Sequence, residues 1–357
     1  MTNPITKTLQ LRIKDKHSAY LSAMAKEINI VWNFINSTST KAYLDKHDWI
    51  SAYDLQKLTA GYSSLDDVKI GAASVQQVCK EHEIRRKQFK KYKLRYRSSN
   101  PKSAKKSLGW IPFKIGGISY KSGQIKFLGK YYSLWDSYGL SSYTLRSGSF
   151  TQDSRGRWYI NIAVEVIPTK SSGTSLVGID LGLKTTATCS DGNKLEGRVY
   201  RKYEPKLAKA QRANKKKEVK NIHAKIKNTR KDMYHKFTTE LVKNNAAIYV
   251  GNVSTKAMIK LSAKSTYDAA WYLFKSMLLY KSHWADIEYE VINEQYTTQT
   301  CSSCGVIPHS SPKGRTGLRI RRWKCSDCGV EHDRDINAAL NIAALGHGRL
   351  AGGIPFL

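Results

Sequence analysis

The spacing of apolar and polar residues predicts an N-terminal part built from strands and inserted helices. Residues 5–13 (ITKTLQLRI) alternate with a period of two, which predicts a strand, while residues 17–46 carry apolar side chains at helical spacing. Further helices are predicted at 52–59 and 74–97. Short alternating runs and turn signals fill residues 98–170. Together these elements predict a small β-barrel with a helical insertion.

A second pattern begins after residues 169–175, which we interpret as a linker. Residues 176–197 predict three successive strands, and the first of them places Asp180 among apolar residues. Burying a carboxylate in an apolar strand is costly unless it binds a metal or another cation. Helices, a strand at 247–250, another helix and a strand at 285–292 follow, which is the order of a ribonuclease-H-like domain of the RuvC type. The first strand and its aspartate, taken alone, also occur in sugar-kinase-like ATPases.

The charge of the chain narrows the class of partner. Its 60 Lys and Arg residues against 28 Asp and Glu give a formal net charge of +32, which indicates a polyanion such as DNA or RNA. The helix predicted at 74–97 interleaves cations with aromatic rings, which suits phosphates and stacked bases, although a solvated helix face has the same composition. The residues of this helix predicted to contact nucleic acid are Arg85, Arg86, Lys90, Lys91, Tyr92 and Arg95.

An anionic membrane surface is the rival partner, but binding to it requires an apolar anchor or a basic amphipathic helix that faces lipid. The sequence contains no apolar run of about 18 residues, and residues 1–15 do not have the pattern of a signal peptide. We therefore expect a cytoplasmic protein without a membrane partner.

Two Cys-x-x-Cys pairs near the C-terminus predict a structural zinc site, because four thiolates in two such knuckles can close a tetrahedron. The loop between the pairs is basic, and we expect Arg321 and Arg322 to contact DNA. An acidic segment then puts Asp335 at the start of a helix predicted at 336–345, where its carboxylate can bind a second, harder metal. The predicted zinc ligands are Cys301, Cys304, Cys325 and Cys328.

Six motifs, taken together, give a family resemblance. They are GWIPF (109–113), GRWYINIAVEV (156–166), GIDLGLKTTAT (178–188), KNTRKDMYHK (227–236), YTTQTCSSCG (296–305) and HDRDINAALNI (332–342). On these motifs, which cover most of the chain beyond residue 108, the chain resembles TnpB, the transposon-encoded RNA-guided DNA nuclease related to type V CRISPR effectors. The first 100 residues match in general character.

The resemblance implies a division of labour along the chain. Residues 1–170, a wedge-like barrel with a helical insertion at about 15–97, would bind guide RNA and target double-stranded DNA with a short adjacent motif. Residues 171–295 and 330–357 would form the RuvC-like nuclease, interrupted by a zinc-binding insertion at 296–329. RNA pairing would select the sequence to be cut. The implied cofactors are catalytic Mg²⁺, structural Zn²⁺ and the guide RNA, in a prokaryotic cytoplasm close to the nucleoid.

Two of the three carboxylates implied by the resemblance map directly, with Asp180 in the first position and Asp335 in the third. Asp333 lies close to Asp335, but the acid-x-Asn-Ala-Ala pattern selects Asp335 and leaves Asp333 as a helix cap. The second position holds Gly251, which cannot bind a metal. Glu294 is the best replacement, because it follows a strand that we expect to run parallel to the strand ending at Gly251, about 4.8 Å away.

The glycine at the second position leaves two functions open. In the first, Glu294 enters the space that Gly251 leaves and completes a site that cuts DNA. In the second, the site is inactive and the protein is an RNA-guided DNA-binding protein that represses transcription. Retention of Asp180, Asp335 and the zinc stretch favours the first. No separate His-rich or tyrosine motif supports a DNA-strand-transferring transposase.

Overall fold

The chain forms two compact units, divided between Val166 and Ile167. The residues that the computed structural model describes are 4–100, 103, 105–317 and 319–350. Residues 1–3 and 351–357 of the predicted domains therefore lie outside the described part of the chain. Both units combine helices with sheets, so the predicted α+β class is confirmed. Within the described residues, no helix is both long and apolar enough to cross a membrane.

The first unit is an antiparallel sheet with a helical insertion. In chain order its elements are β1 (Ile5–Ile13), α1 (Ser18–Lys46), α2 (Ala52–Leu58), α3 (Ala72–Phe89), β2 (Trp110–Phe113), β3 (Ile118–Lys121), β4 (Gln124–Phe127), β5 (Lys130–Trp135), β6 (Leu145–Gln152) and β7 (Trp158–Val166). The strand order is β2-β6-β7-β1-β5-β4-β3. Because β2 and β3 stand at the two ends of this order, a closed barrel is not confirmed.

Period-two burial forms the core of the first unit. Leu9 and Leu11 of β1 are buried and pair with the buried Ile162 and Ile160 of β7. Burial of apolar side chains at alternate positions stabilises the sheet face that the helices cover, because it removes about 25 cal/mol of unfavourable hydration per Å². The strand predicted at residues 5–13 from this alternation is therefore confirmed as β1.

The third helix is shorter than its sequence predicts. It ends at Phe89, because Lys90 adopts a left-handed backbone with a φ of 50°. Residues 90–97 continue as an irregular segment. The side chain of Asn36, buried on α1, donates to the Leu94 carbonyl and accepts from the Leu94 N–H, which fixes this segment against the helix. The prediction of a helix through residue 97 is wrong.

The second unit contains the sheet that organises the candidate site. Its elements are β8 (Ser175–Leu181), β9 (Thr185–Cys189), β10 (Lys194–Glu196), α4 (Val199–Arg212), α5 (Lys216–Asn244), β11 (Asn245–Gly251), α6 (Thr255–Ala269), α7 (Trp271–Trp284), β12 (Glu288–Ile292), α8 (Gly314–Gly317), β13 (Arg322–Lys324), β14 (Glu331–Asp333) and α9 (Arg334–Leu350). The strand order is β10-β9-β8-β11-β12, and β8, β11 and β12 are parallel. The order of these elements along the chain is the one predicted for a ribonuclease-H-like domain, and β12 runs parallel to β11 as predicted.

Close backbone packing fixes the last helix on this sheet. A Cβ atom at Gly178 of β8 would lie 2.1 Å from the Ala339 carbonyl oxygen and 2.5 Å from the Ala343 nitrogen of α9. A side chain there would push the helix away, so glycine is required for this approach. The strand that carries Asp180 and the helix that carries Asp335 are thereby held in direct contact.

Candidate functional site

Three acids come from the carboxyl ends of the parallel strands and from the start of the helix that packs on them. Ile179 of β8 pairs with Val250 of β11, so that Asp180 follows on one strand and Gly251 on the other. Gly251 in turn pairs with Ile292 of β12, which places Glu294 two residues beyond the strand end. The register therefore brings Asp180 and Glu294 to one edge of the sheet, where α9 adds a carboxylate from its first turn.

The protonation of Asp180 reflects the proximity of the other two acids. Burial, followed by the negative charges of Asp335 and Glu294, raises the pKa of Asp180 to about 7, while Arg334 acts in the opposite direction. The charges of the two acids therefore disfavour the ionised form of Asp180. A bound cation would offset this effect.

Glu294 occupies the space above Gly251. A Cβ atom at Gly251 would lie 2.3 Å from Glu294 Oε2 and 3.4 Å from Glu294 Cβ. Within the described part of the chain, the buried Oε2 atom has no hydrogen-bond partner. Burial raises the pKa of Glu294, opposed by the positive charge of Lys275. An unpartnered, buried carboxylate oxygen beside two other acids is the donor that a hard metal ion prefers.

Asp335 is held by two arginines. Arg321 Nη1 lies 3.1 and 2.9 Å from its two carboxylate oxygens, and Arg334 Nη2 lies 3.0 Å from Oδ1. The Arg321 side chain is 54% exposed and comes from the basic loop, whereas that of Arg334 is 12% exposed. Sequence reasoning missed this pairing and assigned Arg321 to nucleic acid. No sequence signal links residues 321 and 335.

Asp333 has a different role, as the sequence predicted. Its Oδ1 atom accepts hydrogen bonds from the backbone N–H groups of Asp335 and Ile336, at 3.0 and 3.1 Å. Lys194 Nζ lies 3.4 Å from its other oxygen. Asp333 therefore caps the start of α9, and Asp335 follows it in the first turn of the helix. The interpretation as a helix cap is confirmed.

The four cysteines form a tetrahedral donor set. Their Sγ atoms all lie within 4.8 Å of one another. The Cys301–Cys328 and Cys304–Cys325 pairs are 3.7 and 3.8 Å apart, close to the roughly 3.8 Å that zinc–sulfur bonds of about 2.3 Å produce in a tetrahedron. His332 Nε2 lies 3.0 Å from Cys301 Sγ and can donate to it from outside the donor set. The residues fit the predicted Zn²⁺.

A basic, aromatic cavity of about 780 Å³ lies in the first unit, beside the irregular segment after α3. Phe89 and Tyr96 at this cavity are 56% and 43% exposed. Exposed rings can stack on unpaired bases, and the neighbouring lysines and arginines can bind the phosphates. The aromatic and cationic residues around the cavity are Trp32, Arg85, Phe89, Lys91, Lys93, Arg95, Tyr96, Arg97, Lys106 and Trp110.

The six residues predicted to contact nucleic acid in this region do not share one face. Arg85, Lys91 and Arg95 line the cavity, and Lys90 is exposed next to it. Tyr92 stacks on Tyr43 of α1, with ring centroids 5.0 Å apart and an interplanar angle of 9°.

Arg86 is buried instead of facing solvent. Its Nη2 atom donates to the Ile50 carbonyl at 2.6 Å, and its guanidinium packs on the Trp49 ring. Arg97, one of the cations of the helix predicted at 74–97, lies 6.0 Å from the Trp32 ring centroid and 5.8 Å from that of Trp110. The two tryptophans are far apart in the chain, so sequence inspection does not show that both contact Arg97.

Two family models match successive parts of the chain. The model described as a probable transposase matches residues 159–262, and the model of the Cas12f1-like TNB domain matches residues 271–342. The second match contains Glu294, Asp335 and all four cysteines. The first contains Asp180 and Gly251.

Individual relatives extend the similarity. A Streptomyces pristinaespiralis protein named "Putative RNA-guided DNA endonuclease" is 28% identical, over 93% of this chain and 87% of its own length. An Escherichia coli K12 relative of the same name, with the suffix InsQ, is 32% identical over 56% of each chain. In a cryo-EM structure of a Cas12f1–sgRNA–target DNA complex, the matching protein covers 95% of this chain and 99% of its own, with a TM-score of 0.59 and 14% identity, which shows a shared fold. The resemblance indicated by the motifs is confirmed by the two family models and by the relatives named as RNA-guided DNA endonucleases.

Proposed function

We propose that this protein is an RNA-guided DNA endonuclease of a mobile element, and that it cuts double-stranded DNA at a Mg²⁺-dependent site of Asp180, Glu294 and Asp335. The observation that carries the proposal is the position of Glu294. Its unpartnered Oε2 fills the space over Gly251, where the family's second acid is expected. The relocated glutamate thus supplies the anionic oxygen that the strand end lacks.

Each of the three acids comes from a rigid element or its immediate end. Asp180 lies in β8, Asp335 in the first turn of α9, and Glu294 just after β12. Carboxylate oxygens on fixed backbones are suited to hold Mg²⁺, which when bound activates the attacking water and stabilises the leaving oxygen of a phosphodiester. Deprotonated Asp180 is the form that binds a metal, so its raised pKa is expected to fall when the cation enters.

The proposed partners are a guide RNA and a target DNA with a short adjacent motif. The net charge of +32 and the basic, aromatic cavity of the first unit support binding of nucleic acid. The relatives named as RNA-guided DNA endonucleases support the guide. In this proposal the protein reads the shape of the duplex, and base pairing with the guide reads the sequence.

A plasmid-cleavage assay with co-expressed flanking RNA tests the proposal. Glu294→Ala should abolish cutting in Mg²⁺ and leave guide-dependent target binding intact, because it removes a metal ligand and no nucleic-acid contact. Glu290→Ala, on the preceding strand β12, is the matched control and should cut like the wild type. Cutting by Glu294→Ala at the wild-type rate would contradict the relocated ligand.

One observation favours the alternative, an RNA-guided DNA-binding protein without nuclease activity. Arg321 and Arg334 both pair with Asp335 and occupy the oxygens that a metal would need. A comparison of DNA cleavage with guide-dependent repression distinguishes the two functions. The inactive form gives no cleavage with Mg²⁺ or Mn²⁺ but still represses a reporter gene under guide control, whereas the nuclease cleaves the same target.

A further inference from the structure

Glu294 lies in a turn instead of a strand, so other residues must fix its position. The turn leads from β12 to Cys301, the first zinc ligand. The Glu294 N–H donates to Asn252 Oδ1 at 3.2 Å. The Glu294 carbonyl accepts from the Thr297 N–H and the Thr297 hydroxyl, at 3.2 and 2.8 Å. Both backbone groups of Glu294 are thus held, and the buried Thr297 is one of the residues that hold them.

Two asparagines of α9 hold this turn from the other side. The Asn337 amide donates to the carbonyls of Thr297 and Thr300 at 3.2 and 2.7 Å. Asn341, one helical turn later, donates to the same two carbonyls at 2.8 and 2.7 Å. Two side-chain amides therefore place four N–H groups on two carbonyl oxygens, which uses every N–H donor that these amides have.

The same contact reaches the zinc site. Asn337 Oδ1 accepts a hydrogen bond of 2.9 Å from the Ser302 N–H, the residue directly after Cys301. Asn337 is 1% exposed, so these bonds form away from water. Asp335 lies on the same helix, two residues before Asn337. One face of α9 thus contacts the turn that carries Glu294 and the knuckle that carries Cys301, while its first turn supplies the third acid.

A metal ligand must be held within about 0.5 Å of its working position. A residue at a strand end gains this precision from the ladder of backbone hydrogen bonds, which Glu294 lacks because β12 ends at Ile292. The bonds from Thr297 to the Glu294 carbonyl can fix Glu294 only if Thr297 is itself held in place. The asparagine amides supply that fixation from the helix that also positions Asp335.

We propose that Asn337 and Asn341 are positioning residues that hold Glu294 in metal-binding geometry, and that they connect the zinc knuckle to the second carboxylate. This inference rests on the proposed function, because it assigns Glu294 to the metal. The inference adds a second role for Asn337 and Asn341, which we call the amide clamp. An acid at the end of a strand would not need such a clamp, because the backbone ladder would hold it.

The test measures Mn²⁺ affinity by titration calorimetry on the full, zinc-loaded chain without nucleic acid. Asn341→Ala leaves the bonds of Asn337 in place, while Asn337→Ala/Asn341→Ala removes the clamp. We expect the double variant to bind Mn²⁺ about 10- to 100-fold more weakly, as is usual when a residue that orients a ligand is lost. The single variant should lie between the double variant and the wild type. Zinc content should stay at the wild-type value in Asn341→Ala.

Asn245→Ala is the matched control, because Asn245 is also buried and bonds the Leu241 carbonyl, at the far end of β11 from the site. It should lower thermal stability without weakening Mn²⁺ binding. The decisive arm repeats the clamp substitutions in a Glu294→Ala background, where they should cause no further loss of affinity. A further loss there would overturn the inference, because the clamp would then act through the fold and not through Glu294.

Two other results separate this inference from the proposed function. In the first result, Glu294→Ala weakens Mn²⁺ binding but neither Asn341→Ala nor the double variant does. The role of the clamp is then overturned, while the proposed metal site stands. If Glu294→Ala itself binds Mn²⁺ like the wild type, the proposed site is wrong and the clamp loses its role with it. Should the double variant fail to fold, the single variant in both backgrounds gives the same comparison.

Discussion

Gly251 and Glu294 are complementary in space, since a Cβ atom on the glycine would lie 2.3 Å from the glutamate Oε2. Real Cβ contacts are not that short, so a side chain at 251 would displace the carboxylate. We expect Gly251→Ala to reduce plasmid cleavage at least about tenfold, in line with the loss of a residue that orients a metal ligand. In a Glu294→Ala background the same substitution should have no further effect on metal affinity, because the carboxylate that it displaces is gone. Equal cutting by Gly251→Ala and the wild type would contradict this relationship.

The complementarity of Gly251 and Glu294 also predicts that the carboxylate can be moved from residue 294 to residue 251 without loss of the metal site. The variant Gly251→Glu/Glu294→Ala places a carboxylate at the end of β11, where the register sets residue 251 beside Asp180. It should recover part of the cleavage that Glu294→Ala loses, since one anionic oxygen again faces the other two acids. The control is Gly251→Gln/Glu294→Ala, which has nearly the same shape without the charge and should remain inactive. Equal rates for these two variants would show that the space over residue 251 does not hold a metal ligand.

Much of the second unit followed from the sequence because its signals are local or periodic. The apolar run around Asp180 predicts a buried strand, and the Cys-x-x-Cys spacing predicts a metal-binding knuckle, each from neighbouring residues alone. The parallel pairing of β11 and β12 follows from the order of elements. The end of α3 at Phe89, by contrast, depends on a left-handed Lys90 and on contacts from Asn36. Such contacts join residues far apart in the chain, and composition does not record them.

The pairing of Arg321 with Asp335 escaped the sequence for the same reason. The positive charge of Arg321 suggested a contact with a phosphate, whereas in the folded chain Arg321 forms an ion pair with the Asp335 carboxylate. Arg86 was misjudged likewise, because a helix that is basic overall still buries one side, and residue 86 falls on that side. Net charge therefore indicates the class of partner without showing which individual arginines are buried or paired within the chain.

Removal of the exposed Arg321 side chain should raise the affinity of the site for a divalent metal. Arg321 competes with a cation for Asp335, and an exposed ion pair is worth about 0–1 kcal/mol, a factor of up to about five in affinity. We expect Arg321→Ala to bind Mn²⁺ about 2- to 5-fold more tightly than the wild type in calorimetry without nucleic acid, within the range of that ion pair. Arg322→Ala is the control, since the neighbouring exposed arginine takes no part in these ion pairs. Unchanged or weaker binding by Arg321→Ala would contradict the competition.

The stability of the first unit should depend on the protonation of His82. Burial, with the nearby charge of Arg86, lowers the pKa of His82 to about 4. Its Nε2–H donates to Asn36 Oδ1 at 3.2 Å, and the buried Nδ1 has no partner among the described residues, so the neutral ring fits the site. The unfolded chain, whose histidine has a pKa of about 6.5, takes up the proton first on acidification.

The contribution of neutral His82 is therefore complete above pH 6.5 and is lost as the pH falls towards 4. Between pH 7 and pH 5, the free energy of unfolding should drop about 2 kcal/mol more for the wild type than for His82→Gln. Glutamine keeps an N–H donor and does not titrate. Urea unfolding of both proteins at the two pH values checks this, and parallel losses would show that His82 is not the titrating group.

The exposed rings of the first-unit cavity should carry a sequence-independent part of nucleic-acid affinity. Phe89 and Tyr96 are exposed at the cavity, with Lys93 Nζ 5.6 Å from the Tyr96 ring centroid. Stacking of one base on one aromatic ring is worth about 1–3 kcal/mol. Phe89→Ala/Tyr96→Ala should thus weaken binding of single-stranded RNA at least about fivefold. The number of displaced salt ions should stay the same, because no cation is removed.

Salt dependence distinguishes stacking from charge at this cavity. Lys91→Ala/Lys93→Ala, in the same cavity, should lower the slope of log affinity against log salt by up to about 1.4 for single strands, whereas the two-ring variant should shift the line without changing its slope. Tyr131→Ala, a 52% exposed tyrosine on β5, is the matched control for loss of an aromatic ring and should bind like the wild type. If Tyr131→Ala weakens binding as much as Phe89→Ala/Tyr96→Ala does, the RNA does not bind specifically at this cavity. If the two-ring variant changes the slope, the rings act by positioning the lysines and not by stacking on bases.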